Sequence, residues 1–189
     1  MQALRELGFD RVSFGVQSLN DGELKTIGRI HTAKQALEAI HMAKEAGFKR
    51  INADIMYGLP TQTLESLCKT LEIITSVGIE HISAYSLILE EGTPLENLVG
   101  AGKLILPDED KVGDMYDFVQ QFLASRDYKR YEVSNYAKNG GESEHNKVYW
   151  KYHPYLAFGA AACSFNGLER ISATTDVSKY IEEIEALWN

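Results

Sequence analysis

Cysteine is scarce in this chain: Cys68 and Cys163 are the two among 189 residues, and they lie 95 positions apart. That separation supports neither a disulfide framework nor a clustered thiolate metal motif. Proline is equally rare, at four residues, and no low-complexity run occurs, which excludes a collagen-like or disordered chain. Lysines and arginines never gather into a block, and 27 acidic residues outweigh 19 basic ones, for a net charge of −8. A broad nucleic-acid or anionic-membrane surface is therefore not expected, and an anionic ligand must be met by a few placed cations. There is neither a run of about 18 apolar residues nor a signal-peptide core, so the sequence reads as cytoplasmic, without membrane insertion. What is present is a globular composition, 44% apolar and 24% charged, in a length that fits one ordinary domain.

Self-similarity gives the organisation. "RELGFDRVSFGVQ", "KEAGFKRINADIMY" and "TSVGIEHISAYSL" each read as a helix tail, a glycine and a strand, with Gly8, Gly47 and Gly78 spaced by 39 and 31 residues. Helices fill the gaps. Thr32 with Gln35 makes a capping box before the stripe Ala33, Ala36, Leu37, Ile40 and Ala43, and Leu64, Leu67, Leu71 and Ile74 form the next stripe. Strand, helix, strand at this spacing implies an α/β fold with parallel pairing, and the repetition predicts part of an open, TIM-like βα barrel; a doubly wound sheet is the alternative. Residues 1–106 are expected to hold three βα units. The helix tail at residues 2–7 has no strand before it, and three units do not close a barrel, so an arrangement met partway is expected.

Over 107–189 the pattern changes. Val112, Met115, Tyr116, Val119, Phe122 and Leu123 give a helical stripe. "RYEVSNY", "HNKVYW" and "ERISAT" read as short extended runs broken by Asn139-Gly140-Gly141 and Asn166-Gly167, a small antiparallel element. A final helix capped by Asp176 follows, with Val177, Tyr180, Ile181, Ile184, Leu187 and Trp188 on one face, and is expected to pack on the barrel.

Barrel ligand sites form at the C-terminal ends of the strands, where Gln17 stands. Asp54 lies among apolar residues of "INADIMYG" and needs hydrogen-bond donors or a counter-ion. Two readings are open: Gln17 and Asp54 hold ribose hydroxyls while Arg29 takes a carboxylate, or Asp54 and Arg29 form a buried ion pair. In "HNKVYW", read as extended, His145, Lys147 and Tyr149 share one face. His145 beside aromatics suits heme ligation, or the cluster is packing. Cys68 reads as a small core residue, and the histidines show no metal spacing.

Taken together, "RVSFGVQS", "GRIHT", "INADIMYGLPTQT", "HISAYSLILEEGTPL", "RYEVSNYAKNGGESEHNKVYW" and "YLAFGA" resemble, in order and spacing, the radical S-adenosylmethionine proteins of the oxygen-independent coproporphyrinogen III oxidase group. "HNKVYW" is similar to the motif of its heme chaperone branch. The resemblance implies an open βα barrel of about six units, of which three would be the second half. It also implies S-adenosylmethionine contacts at Gln17 and Asp54 (ribose), Arg29 (carboxylate), and Met56 and Ile88 (adenosyl group). His145, Tyr149 and Trp150 would handle heme, with a porphyrin or heme as ligand and a heme-receiving protein as partner. The family's C-x-x-x-C-x-x-C motif, which binds a four-iron four-sulfur cluster, and its glycine-rich stretch are not in these residues, and Ala161 and Cys163 stand where relatives have glycine and histidine. The chain is therefore expected to be a truncated, inactive portion of such a protein that holds no cluster of its own. A noncatalytic heme-binding module and an unrelated barrel binding nucleotides through the "YGLP" turn are the competing expectations.

Overall fold

The computed structural model describes every residue except Asn139 and Asn189, with the backbone but not the side chain of Trp188. The turn expected at Asn139-Gly140-Gly141 thus begins outside the described residues, as does the part of the last stripe assigned to Trp188. In chain order the elements are α1 (Gln2–Glu6), β1 (Arg11–Gln17), α2 (Asp21–Thr26), α3 (Ala33–Glu45), β2 (Arg50–Tyr57), α4 (Leu64–Ser76) and β3 (His81–Ser86). Then come α5 (Pro94–Gly100), α6 (Glu109–Ser125), β4 (Lys129–Arg130), β5 (Asn135–Ala137), α7 (Glu144–Trp150), β6 (Cys163–Phe165), β7 (Arg170–Ser172) and α8 (Val177–Trp188). Gly8, Gly47 and Gly78 turn out of the helices at φ of +92°, +85° and +71°, a region that side chains with a Cβ rarely occupy.

The chain divides into two compact units, Met1–Glu142 and Ser143–Asn189. In the first, the strand order is β1-β2-β3-β5-β4, with β1, β2 and β3 parallel and β5 antiparallel to both β3 and β4. Three parallel strands joined by α3 and α4 are part of an open βα barrel. The period of two along each strand separates two faces. Val16, Ile51, Ala53, Ile55, Ile82 and Ala84 pack against Ile40 and Ala43 of α3, Leu67, Leu71 and Ile74 of α4, and Met115, Val119 and Leu123 of α6. Each such large apolar side chain contributes about 1.5–3 kcal/mol on burial. The other face is polar: register pairs Ser13 with Asn52, Gly15 with Asp54, Asn52 with His81, Asp54 with Ser83, and Ser83 with Asn135.

The first compact unit takes in more than the three βα units, and two burial expectations are not met. The first unit runs to Glu142, not to 106, because α6 buries its apolar stripe against α4, β2 and β3, and β5 pairs with β3. Leu64, expected in the α4 stripe, is exposed, and Cys68 is half-buried rather than in the core. The stripe that packs is Leu67, Thr70, Leu71 and Ile74.

In the second unit, "HNKVYW" is helical rather than extended. Ser143 accepts from the Asn146 N–H at 3.3 Å as N-cap, and Glu144, in the first turn, pairs with Lys147 at 2.8 Å. A cap and a favourable dipole charge outweigh a two-residue alternation only six residues long. Of the other runs expected in one small antiparallel element, "RYEVSNY" instead gives Arg130 to β4 and Asn135 and Tyr136 to β5 of the first unit's sheet, because β5 pairs with β3, whereas "ERISAT" holds β7. β6 and β7 pair as a hairpin whose Asn166 side chain accepts from the Leu168 and Glu169 N–H groups, both at 2.9 Å, and Asp176 caps α8 by accepting from the Lys179 N–H at 3.0 Å.

Candidate functional site

The end of β1 is built around one strained residue. Gln17 has φ of +65° and is only 7% exposed, a backbone state that a non-glycine residue holds where its surroundings impose it. Here the Val16 carbonyl accepts from the Ser18 N–H at 2.8 Å and from the His31 ring at 3.2 Å. The Ser18 hydroxyl donates to buried Glu23 at 2.6 Å, and Glu23 also accepts from Gln62 at 3.2 Å and from the Ser66 hydroxyl. Glu23 thus ties the segment after β1 to the start of α4. With the chain turned in this way, the Gln17 amide folds back over Gly15: a Cβ at Gly15 would stand 2.8 Å from Gln17 Nε2. Gly15 is the register partner of Asp54. The amide therefore lies over the β1 residue that stands in register with Asp54.

Asp54 is half-buried and finds donors instead of a cation. The Asn52 amide donates to Asp54 Oδ1 at 2.7 Å and to Ser13 Oγ at 2.7 Å, and the Ser13 hydroxyl donates to Asp54 Oδ2 at 3.3 Å. Behind Asn52 sits His81, 1% exposed, with Nδ1 2.6 Å from Asn52 Oδ1 and Nε2 2.7 Å from the Tyr131 hydroxyl. Burial first, then the nearby charges of Arg11 and Arg50, pull the imidazole down to about 4, so it is neutral at ordinary pH. The carboxylate keeps unfilled acceptor capacity toward the open side of the sheet.

Arg29 does not close an ion pair with Asp54. It is exposed in the segment between α2 and α3, and no ion pair involves it among the described residues. Met56 follows Asp54 on the same face of β2 and is half-buried, with Tyr85 as its register partner. Ile88, just beyond β3, is 72% exposed. The "YGLP" turn is packed rather than open. Gly58, at φ of +75°, would put a Cβ 3.3 Å from Val112, and the Leu59 N–H is taken by Gln62 at 3.2 Å.

In the second unit His145 and Tyr149 are one helical turn apart, with Tyr149 Oη 2.8 Å from His145 Nε2 and the rings edge-on at 4.9 Å. Tyr149 in turn meets Tyr155 edge-on at 4.7 Å. His145 and Trp150 are exposed on α7. Sequence reasoning missed Gly15, Glu23, Asn52 and His81. Only the two-residue spacing of Asn52 and Asp54, which puts both on one strand face, carried a signal.

Comparison with known proteins bears on family and fold. Residues 1–74 match the radical SAM superfamily model. Over 184 residues the chain is 40% identical to a heme chaperone HemW of Bacillus subtilis, covering 97% of this chain and 48% of that protein. It is also 40% identical over 165 residues to a heme chaperone HemW of Lactococcus lactis, covering 87% of this chain and 44% of that one. Among solved structures, coproporphyrinogen III oxidase HemN of Escherichia coli superposes with a TM-score of 0.77 at 22% identity, over 98% of this chain and 45% of that one, which bears on the fold. This chain is a radical S-adenosylmethionine protein related to the HemW heme chaperones. It spans about half the length of the curated relatives it matches.

The radical S-adenosylmethionine superfamily implies two cofactors in the family, S-adenosylmethionine and a four-iron four-sulfur cluster. The polar face fits the nucleoside part of the first. Asp54 has acceptor capacity to spare, Gln17 is folded over its register partner, and that partner, Gly15, leaves the room. The described residues do not fit the second: Cys68 and Cys163 fall in different units, and no group of three or more His, Cys, Asp or Glu among the described residues is placed to hold a metal. No helix among the described residues is long and apolar enough to cross a membrane.

Proposed function

We propose that this chain supplies the ribose-binding side of an S-adenosylmethionine site in a protein of heme trafficking. The observation that carries the reading is a strained Gln17 amide at the end of β1, folded over Gly15, whose register partner on β2 is the Asp54 carboxylate, held by Asn52 and Ser13 and by no cation among the described residues. Asp54 and Gln17 would take the ribose hydroxyls, Met56 and Ile88 would flank the adenosyl group, and Arg29 would take the methionine carboxylate. When bound with its cluster in a full site, the cofactor supplies radical chemistry; these residues bind and orient it.

NMR titration with S-adenosylhomocysteine tests the reading. Shifts should concentrate at Gln17, Asp54 and Met56, and Asp54→Ala should weaken binding by at least about tenfold, the loss of a charge-assisted hydrogen bond. Shifts unaffected by Asp54→Ala would overturn it.

A second contact, for heme, is favoured by the exposed His145–Tyr149 pair with Trp150 on α7, and by relatives named heme chaperones. The ligand would be heme or a related porphyrin, passed on to a receiving protein. Heme titration should give a Soret shift that His145→Ala abolishes. Identical spectra would remove His145 as the ligand and leave the pair as packing.

A further inference from the structure

The hydrogen bonds behind Asp54 have a determined direction. Asn52 gives one amide N–H to Asp54 Oδ1 and the other to Ser13 Oγ, each at 2.7 Å. A carboxylate only accepts, so the Asn52 nitrogen must face it. Asn52 Oδ1 then faces two groups that must both donate, the Ser83 hydroxyl at 3.2 Å and His81 Nδ1 at 2.6 Å. His81 therefore carries its proton on Nδ1, and Nε2 accepts from the Tyr131 hydroxyl at 2.7 Å. The opposite tautomer would set a lone pair against Asn52 Oδ1 inside a buried site, where unmatched polar groups are costly.

We propose that Tyr131, His81 and Asn52 form a one-way hydrogen-bond chain that presents Asp54 to a cis-diol, with His81 as the positioning residue that anchors the Asn52 amide. The proposal rests on the ribose reading given above. Asn52 and Ser13 each supply one hydrogen bond to one oxygen of Asp54, so both oxygens stay fixed on the sheet side while each keeps a lone pair toward the open side. Two aligned acceptors on one held carboxylate match two adjacent hydroxyls. Burial, then the charges of Arg11 on β1 and Arg50 on β2, keep the ring neutral beside Asp54 on β2 and Tyr131 between β4 and β5, so the direction of the chain does not reverse near neutrality. Without the His81 N–H, only Ser83 holds Asn52 Oδ1. The Asn52 N–H groups still face Asp54 and Ser13, but the amide is anchored less firmly from behind and holds the carboxylate less rigidly toward the diol.

Two measurements on the chain test this. Long-range proton–nitrogen NMR correlation should show His81 as the neutral Nδ1–H tautomer at pH 7; the Nε2–H tautomer would overturn the proposal. Titrations with adenosine and with 2′,3′-dideoxyadenosine then read the diol separately from the base. The wild type should prefer adenosine by about tenfold, and His81→Leu should bring that preference near one while leaving dideoxyadenosine binding unchanged. His81→Asn, whose amide replaces the Nδ1 donor, should restore it, and guards against a variant that merely fails to fold. No preference in the wild type would overturn the proposed function and this role with it. A wild-type preference that survives in His81→Leu would overturn the role of His81 alone.

Discussion

His81 shows how a side chain with no signal in the sequence becomes the centre of a site. A lone histidine opening a strand looks like any satisfied core histidine, and only the sheet register brings it to Asn52 and Tyr131. Its burial has a consequence for stability. The folded state holds the imidazole near 4, below the usual 6.5, so between these values the unfolded chain binds the proton and the folded one does not. Stability is complete above pH 6.5 and falls as pH drops from there toward 4, by about 3 kcal/mol at the limit. Urea unfolding at pH 7 and pH 4.5 should show this loss, and His81→Leu should flatten the histidine part of the profile. An unchanged slope in that variant would place the pH dependence elsewhere. Gln17 and Asp54 were legible as candidates because strand ends and stray carboxylates stand out in an apolar run. Gly15 and Glu23 were not, since the room one leaves and the bonds the other accepts exist only after β1 lies beside β2 and α2 beside α4.

At the scale of elements, local chemistry decided most of what was read correctly. Thr32 with Gln35 and Thr63 with Ser66 form reciprocal capping boxes at the starts of α3 and α4. In the second, the Thr63 hydroxyl accepts from the Ser66 N–H and the Ser66 hydroxyl from the Thr63 N–H, both at 3.1 Å. Thr63→Ala should lower thermal stability by about 1 kcal/mol, measured by calorimetry, whereas no change would mean that packing alone starts α4. The same rule explains one element read wrongly. The alternation in "HNKVYW" suggested a strand, but Ser143 and Glu144 stand directly before it and supply the cap and the first-turn charge. The expected grouping of His145 with Tyr149 holds on either backbone, because residues four apart share a helix face as well as a strand face. What changes is the contact: in the helix the two side chains bond to each other.

For the whole molecule, the core lies within the first unit, from Val12 to Tyr136, with no member among the described residues of 143–189. Residues 1–142 should therefore fold alone and unfold in one cooperative transition by circular dichroism, and a fragment that melts without a transition would show that the second unit is needed. The helices, the strands and their order were determined by the sequence itself, because periodicity, caps and glycine placement act over a few residues. The extent of the first unit was not. Whether α6 and β5 join the barrel depends on where a long-range apolar stripe finds a partner, and no local pattern records that. The site follows the same division. Residue type put Gln17 and Asp54 forward, whereas tertiary structure alone decided that Gly15, Asn52, Ser13 and His81 surround them. Strand register sets which side chains share a face, and buried polar groups must then find donors among those neighbours.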